Sequence, residues 1–201
     1  MIASDTAAAL ALYGFVTSIT PGPNTMMLLA SGVNFGLRRS MPHILGISVG
    51  FAVMIVLMGL GVGAVFAMEP RLHEVLRWAG ALYLMSLAWR IATSSPEGAE
   101  DDRAPSRPMS FVAAAAFQWV NPKAWIMALG AITTYLPQHA GLPAICALAA
   151  MLAGVNAPCV GAWAAFGVGL RRILTAPSHL RAFNVAMAAL LVLSLHPTLM
   201  Q

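Results

Sequence analysis

From Thr6 to Leu37 the chain carries no Asp, Glu, Lys or Arg, and similar stretches run from Met41 to Met68, Met109 to Leu136 (interrupted only by Lys123), Leu142 to Leu170 and Ala182 to Gln201. Each reaches the roughly 20 residues that an α-helix needs to cross a bilayer. A sixth stretch, Leu72 to Ala92, is interrupted by Arg77 and Arg90, and it crosses only if both arginines extend toward the headgroups. A chain that is 59% hydrophobic and 9% charged, with mean hydropathy +0.78, lies outside the range of soluble domains. The expected fold is an all-α integral membrane protein with six transmembrane helices. The opening "MIASD" lacks a basic n-region, so the first apolar segment is expected to belong to the mature protein.

The net charge of +4 and pI near 9.7 would point to nucleic acid in a soluble protein. Here they point to orientation, and no nucleic-acid partner is expected. Arg38, Arg39, Arg90, Arg103, Arg107, Arg171, Arg172 and Arg181 fall after odd-numbered spans, against Arg71 and Arg77 on the other side. The positive-inside rule places the odd-numbered loops in the cytoplasm and both termini outside. A first segment that only dips into the bilayer would leave five spans and move the N-terminus inside.

"SSPEGAEDDRAPSRP", 94–108, reads as a flexible cytoplasmic linker between a first three-helix repeat, 1–93, and a second, 109–201, within one transmembrane domain. Each half opens with a helix broken at an asparagine and proline group, "PGPN" at 21–24 and "NPK" at 121–123. Each closes with a related span, "LRWAGALYL" against "LRAFNVAMA". Because three crossings reverse direction, the halves would be inverted repeats, with the first and fourth helices broken.

Backbone groups freed by proline cost several kcal/mol each in hydrocarbon, so irregular backbone at that depth must face protein or a polar cavity. Pro21 and Pro23 lack an N–H, Gly22 permits unusual dihedrals, and Asn24 is expected to cap the half-helix that follows. That helix N-terminus suits a carboxylate. Asn121 and Pro122 repeat the arrangement, with Gln118 one turn earlier and Lys123 adding a full charge. Two such breaks meeting near the midplane would hold the two ends of a zwitterion.

Asn156 and Trp163 are further candidates for the same cavity, although Asn156 also reads as an interhelical hydrogen-bond donor, and Trp119, Trp125 and Trp163 as packing or interfacial anchors. Gly46 and Gly50, Gly59 and Gly63, and Ala157, Gly161 and Ala165 recur every four positions and are expected to form close-packing faces. Lys123 in a helix centre costs about 2.5–3.5 kcal/mol on insertion scales, so it needs a partner or a water-filled cavity unless it reaches an interface. Two roles suit it: a fixed cation for the substrate carboxylate, or a proton-exchanging group that couples transport to a gradient.

"SITPGPNTMMLLASGVNFGLRRS" with "GISVGF", "FQWVNPKAW", "RWAGALYLMSLAWRIATSSP" and "FNVAMAALLVL" resembles the LysE/RhtB family of amino-acid exporters over nearly the whole chain. The "GISVGF" and "LAWRIATSSP" stretches are most similar to the cysteine/O-acetylserine efflux branch. The resemblance implies secondary export of small neutral amino acids or derivatives, of cysteine/O-acetylserine or threonine/homoserine type, driven by the proton gradient across a bacterial inner membrane. Many family members carry an acid after the glycine pair of the second span, where this chain has Phe51, so that acid's role does not carry over.

Two other classes compete. An intramembrane enzyme would need a clustered nucleophile, base or metal set, but the seven acids lie at segment ends or in loops and the five histidines are scattered, so no cofactor or metal is expected. A transmembrane thiol carrier would need cysteines that meet, and Cys146 and Cys159 sit about 20 Å apart along one predicted helix. The oligomeric state is open, a homodimer included.

Overall fold

A computed structural model describes residues 4–62, 70–94, 107–137 and 139–195. The linker core at 95–106, with Arg103, Glu97, Glu100, Asp101 and Asp102, and the packing residue Gly63 lie outside the described residues. Every regular element among the described residues is helical.

The first apolar segment is two helices, α1 (Ser4–Ile19) and α2 (Pro23–Phe35). The chain breaks at Thr20–Gly22, and Pro23 opens α2 at the first helical position, where its missing N–H costs nothing. Gly36, with φ at +79°, turns the chain directly into α3 (Leu37–Leu57). A π-helical turn, Met58–Val62, continues α3 and contains Gly61 at φ +106°. Then comes α4 (Pro70–Ala92), one continuous helix in which Arg77 pairs with Glu74 at 3.5 Å and stacks on Trp78.

The fourth segment is broken as its sequence predicts. α5 (Phe111–Phe117), capped by Ser110, tightens into a 3-10 turn at Gln118–Val120, and α6 (Pro122–Tyr135) restarts on Pro122. α7 (Leu142–Arg171) and α8 (Pro177–Leu193) complete the bundle. Among the described residues, two helices are long and apolar enough to cross a membrane unaided, Leu37–Val62 and Leu142–Arg171. α1 and α2, and likewise α5 and α6, are too short to do so singly.

Among the described residues, large apolar side chains stand on the outside, and several polar ones are buried within a mainly apolar interior. Trp89, Val112 and Ile126 are more than 70% exposed, whereas Asn34, Gln118, Asn121, Asn156 and Asn184 are buried. This distribution suits a hydrocarbon solvent, in which polar groups must find partners inside the bundle.

α7 packs against α1, α2 and α3, α3 also packs against α5, and α4 pairs with α8. Where α2 crosses α7 the backbones nearly touch: a Cβ on Gly32 would sit 2.0 Å from the Ala164 carbonyl oxygen, and one on Gly167 would sit 2.3 Å from that of Leu29. Gly46 and Gly50 form the expected close face, against Phe111 and Ala115 of α5, and Gly59 meets the side chain of Ile145. Gly161 departs from expectation, with nothing within 4 Å of a Cβ there. On α7 the close approach falls on Gly167 and Ala164, because the crossing with α2 selects a face rotated from that of Ala157, Gly161 and Ala165.

Two of the hydrophobic clusters lie on either side of the breaks. One gathers Leu10 of α1 and Met127 of α6 with α3 and α7; the other gathers Met27 of α2 and Phe117 of α5 with α4 and α8. α1 thus shares one cluster with α6 and α2 shares the other with α5, and the two breaks face each other across the Lys123–Thr20 and Asn24–Gln118 hydrogen bonds.

Candidate functional site

The irregular backbone at the end of α1 leaves carbonyls without helical partners, and side chains from elsewhere in the bundle take them. Trp163 Nε1 of α7 donates to Ile19 O at 3.0 Å. Lys123 Nζ of α6 donates to Thr20 O at 2.6 Å, to Thr20 Oγ1 at 2.9 Å and more distantly to Pro21 O at 3.4 Å. The lysine thus meets the negative end of the α1 dipole, and the cation required no intramembrane acid. Gly22 makes this possible. A Cβ there would lie 2.8 Å from Lys123 Cδ, so the glycine is needed for the space it leaves; its extended φ of 179° is open to any residue.

The cap expected of Asn24 is made by a different residue. Thr25 Oγ1 accepts the Gly22 N–H at 2.8 Å and donates to Gly22 O at 2.9 Å, closing the turn before α2. Asn24 lies inside the first turn, and its amide instead crosses to the second break: Asn24 Nδ2 donates to Gln118 Oε1 at 2.9 Å, and Gln118 Nε2 returns to Asn24 Oδ1 at 3.3 Å. The cap does hold at the second break, where Asn121 Oδ1 accepts the Lys123 N–H at 3.1 Å. The difference follows from register, since Asn121 precedes its proline and Asn24 follows its own.

Asn156 joins three helices, donating to Ser18 Oγ of α1 at 3.0 Å and accepting from Ser48 Oγ of α3 at 3.2 Å. Trp119 and Trp125 pack edge to face, and Trp125 Nε1 donates to Trp119 O at 2.8 Å, so this pair braces the turn from inside. Cys146 is exposed and Cys159 is buried, both on α7.

These groups surround one cleft of about 330 Å³, including its open mouth, lined by Gly22, Asn24, Gln118, Asn121, Lys123 and Asn156 and also by Thr17, Ser18, Thr25, Phe51 and Met127. Of the predicted residues, Pro21, Pro23 and Pro122 shape the backbone around it and the other six line it. Sequence reasoning missed Ser18, Thr20, Thr25 and Ser48. The first three flank the PGPN group, where hydroxyls commonly satisfy broken helix ends; nothing in the local pattern marks Ser48. Phe51 lies in the wall, and Lys123 is the one ionisable side chain in the described lining.

Apolar helices around a polar cleft, built where two interrupted helices meet, define a membrane translocator. The chain belongs to the LysE type translocator family, whose model matches residues 15–194. It is 33% identical over 181 residues to the cysteine/O-acetylserine efflux protein of Escherichia coli (strain K12), covering 90% of each chain, and equally to that of Shigella flexneri. No solved structure matches. Family membership makes this a membrane-embedded transporter and not an enzyme.

Proposed function

We propose that the protein exports a small neutral amino acid or derivative, of cysteine/O-acetylserine or threonine/homoserine type, from the bacterial cytoplasm through the inner membrane. The observation that carries this reading is the meeting of the two breaks, with Lys123 on the carbonyls of Thr20 and Pro21 beside the Asn24–Gln118 pair. A zwitterion needs a cation or helix N-terminus for its carboxylate and a set of oxygens for its ammonium. Lys123 and the opening turns of α2 and α6 are the first, and Thr20 O, Pro21 O and Asn24 Oδ1 are the second. Substrate would take over bonds that Lys123 and the carbonyls now make to each other, so loading would loosen the link between the breaks. Asn121 fixes the turn that presents Lys123, and Asn156 ties the wall across α1, α3 and α7.

The arrangement is read as six spans in two inverted three-helix repeats, with the odd-numbered loops cytoplasmic and the C-terminus outside. The sharing of one cluster by α1 and α6 and of another by α2 and α5 supports it, as does the arginine count. The proton gradient would act through Lys123, since the described lining holds no acid. Uptake of radiolabelled amino acids into everted vesicles, with and without a pH gradient, tests the reading. Saturable, gradient-dependent uptake of a small neutral amino acid is expected, and uptake indifferent to the gradient would remove the coupling.

A further inference from the structure

A second cavity, about 460 Å³ including its mouth, lies along α2 beyond the first and is bordered by His43, Arg90 and Arg107. α2 walls both cavities. Asn24 faces the first, and Met27, Ser31 and Asn34 face the second, at the three- and four-residue spacing of one helix face. The ten residues from Asn24 to Asn34 correspond to about 15 Å of helix.

His43 of α3 is 2% exposed, and neither ring nitrogen has a partner. A buried imidazole without partners costs free energy unless something entering the cavity bonds to it. Asn34, by contrast, is fully engaged: it exchanges two hydrogen bonds with Asn184, at 2.9 and 3.1 Å, and donates a third to Ala30 O at 2.8 Å. It forms a satisfied floor, while His43 offers unused capacity. Arg90 and Arg107 are exposed at the rim, and no acid is present in the described lining. A pair of guanidinium groups at the mouth of a largely apolar pocket that holds an unpartnered histidine matches a carboxylate carried on a small molecule with one further hydrogen-bonding group.

We propose that this cavity is a loading site, in which Arg90 and Arg107 hold the substrate's carboxylate and His43 bonds its polar end before it passes along the α2 face to the central cleft. The proposal rests on the export reading above. It predicts a binding step at the arginine-rich face that is separate from the step at Lys123.

The test is initial-rate uptake of radiolabelled O-acetylserine and cysteine into everted vesicles, compared with counterflow in right-side-out vesicles. Arg90→Gln with Arg107→Gln should raise half-saturation about tenfold in everted vesicles, leave the maximal rate nearly unchanged and spare the opposite face, whereas Arg90→Lys with Arg107→Lys should recover most of the affinity. Arg107→Gln alone, at an exposed position outside any helix, should shift half-saturation in the same direction and gives a readout should the double variant not reach the membrane. Unchanged half-saturation, or a fall in maximal rate alone, would overturn the loading site while leaving export intact. An effect that disappears in proteoliposomes of phosphatidylcholine alone would reassign the arginines to an anionic lipid headgroup and overturn it too. Absence of saturable uptake by the unaltered protein would overturn the export reading and the loading site together.

Discussion

Lys123 Nζ lies 2.6 Å from the carbonyl oxygen of Thr20, across 103 residues of sequence, and so ties the second helix break to the first. A cation placed on the negative end of a helix needs no carboxylate partner, and it can be displaced by a ligand bringing its own charges. Lys123→Gln should therefore lower substrate affinity about tenfold or more, corresponding to roughly 1.4 kcal/mol per decade. Lys123→Arg, which keeps the charge but resists deprotonation, should still bind substrate while losing gradient-driven uptake. Binding by titration and uptake in everted vesicles separate the two, and near-normal values in both variants would leave Lys123 without a transport role.

Gly22 and Gly32 are both tight, for different reasons. A Cβ at Gly22 meets the flexible Lys123 side chain, and one at Gly32 meets the Ala164 backbone. Gly22→Ala should fold with little loss of thermal stability but transport poorly, because the lysine is pushed off Thr20. Gly32→Ala forces α2 from α7 and should cost about 1–3 kcal/mol, seen as a lowered melting temperature in detergent.

The Asn24–Gln118 amide pair couples the two halves directly. Alanine at either position strands the partner amide, so each single variant should lose about 1–2 kcal/mol, and the double variant should lose clearly less than the sum. A thermal-stability cycle over the four proteins measures this, and strict additivity would mean that the pair does not act as a unit.

Threading can be read with reporter fusions at Glu100 and at the C-terminus. Inverted three-helix repeats require the linker and the C-terminus to lie on opposite sides, and the arginine count makes the linker the cytoplasmic one. Two fusions reporting the same side would end the three-plus-three arrangement.

Much of this was legible in the residues alone. Long apolar stretches dictate helices because backbone polar groups in hydrocarbon must bond within their own segment. Prolines dictate breaks because they lack the N–H that a helix requires, and both breaks fall where PGPN and NPK place them. A lone lysine among apolar residues is conspicuous for the same reason. The partners of these groups were another matter. Whether Asn24 caps its own helix or crosses to Gln118, whether Lys123 reaches an interface or the end of a helix, and whether Gly161 or Gly167 packs closely all depend on how helices distant in sequence are rotated against one another. Hydrogen bonds and close contacts act over about 3 Å, and local sequence periodicity does not determine those rotations to that accuracy. The need for polar partners at two breaks was therefore set by the chain itself, and the choice of Thr20 and Gln118 to supply them was made only when the bundle closed.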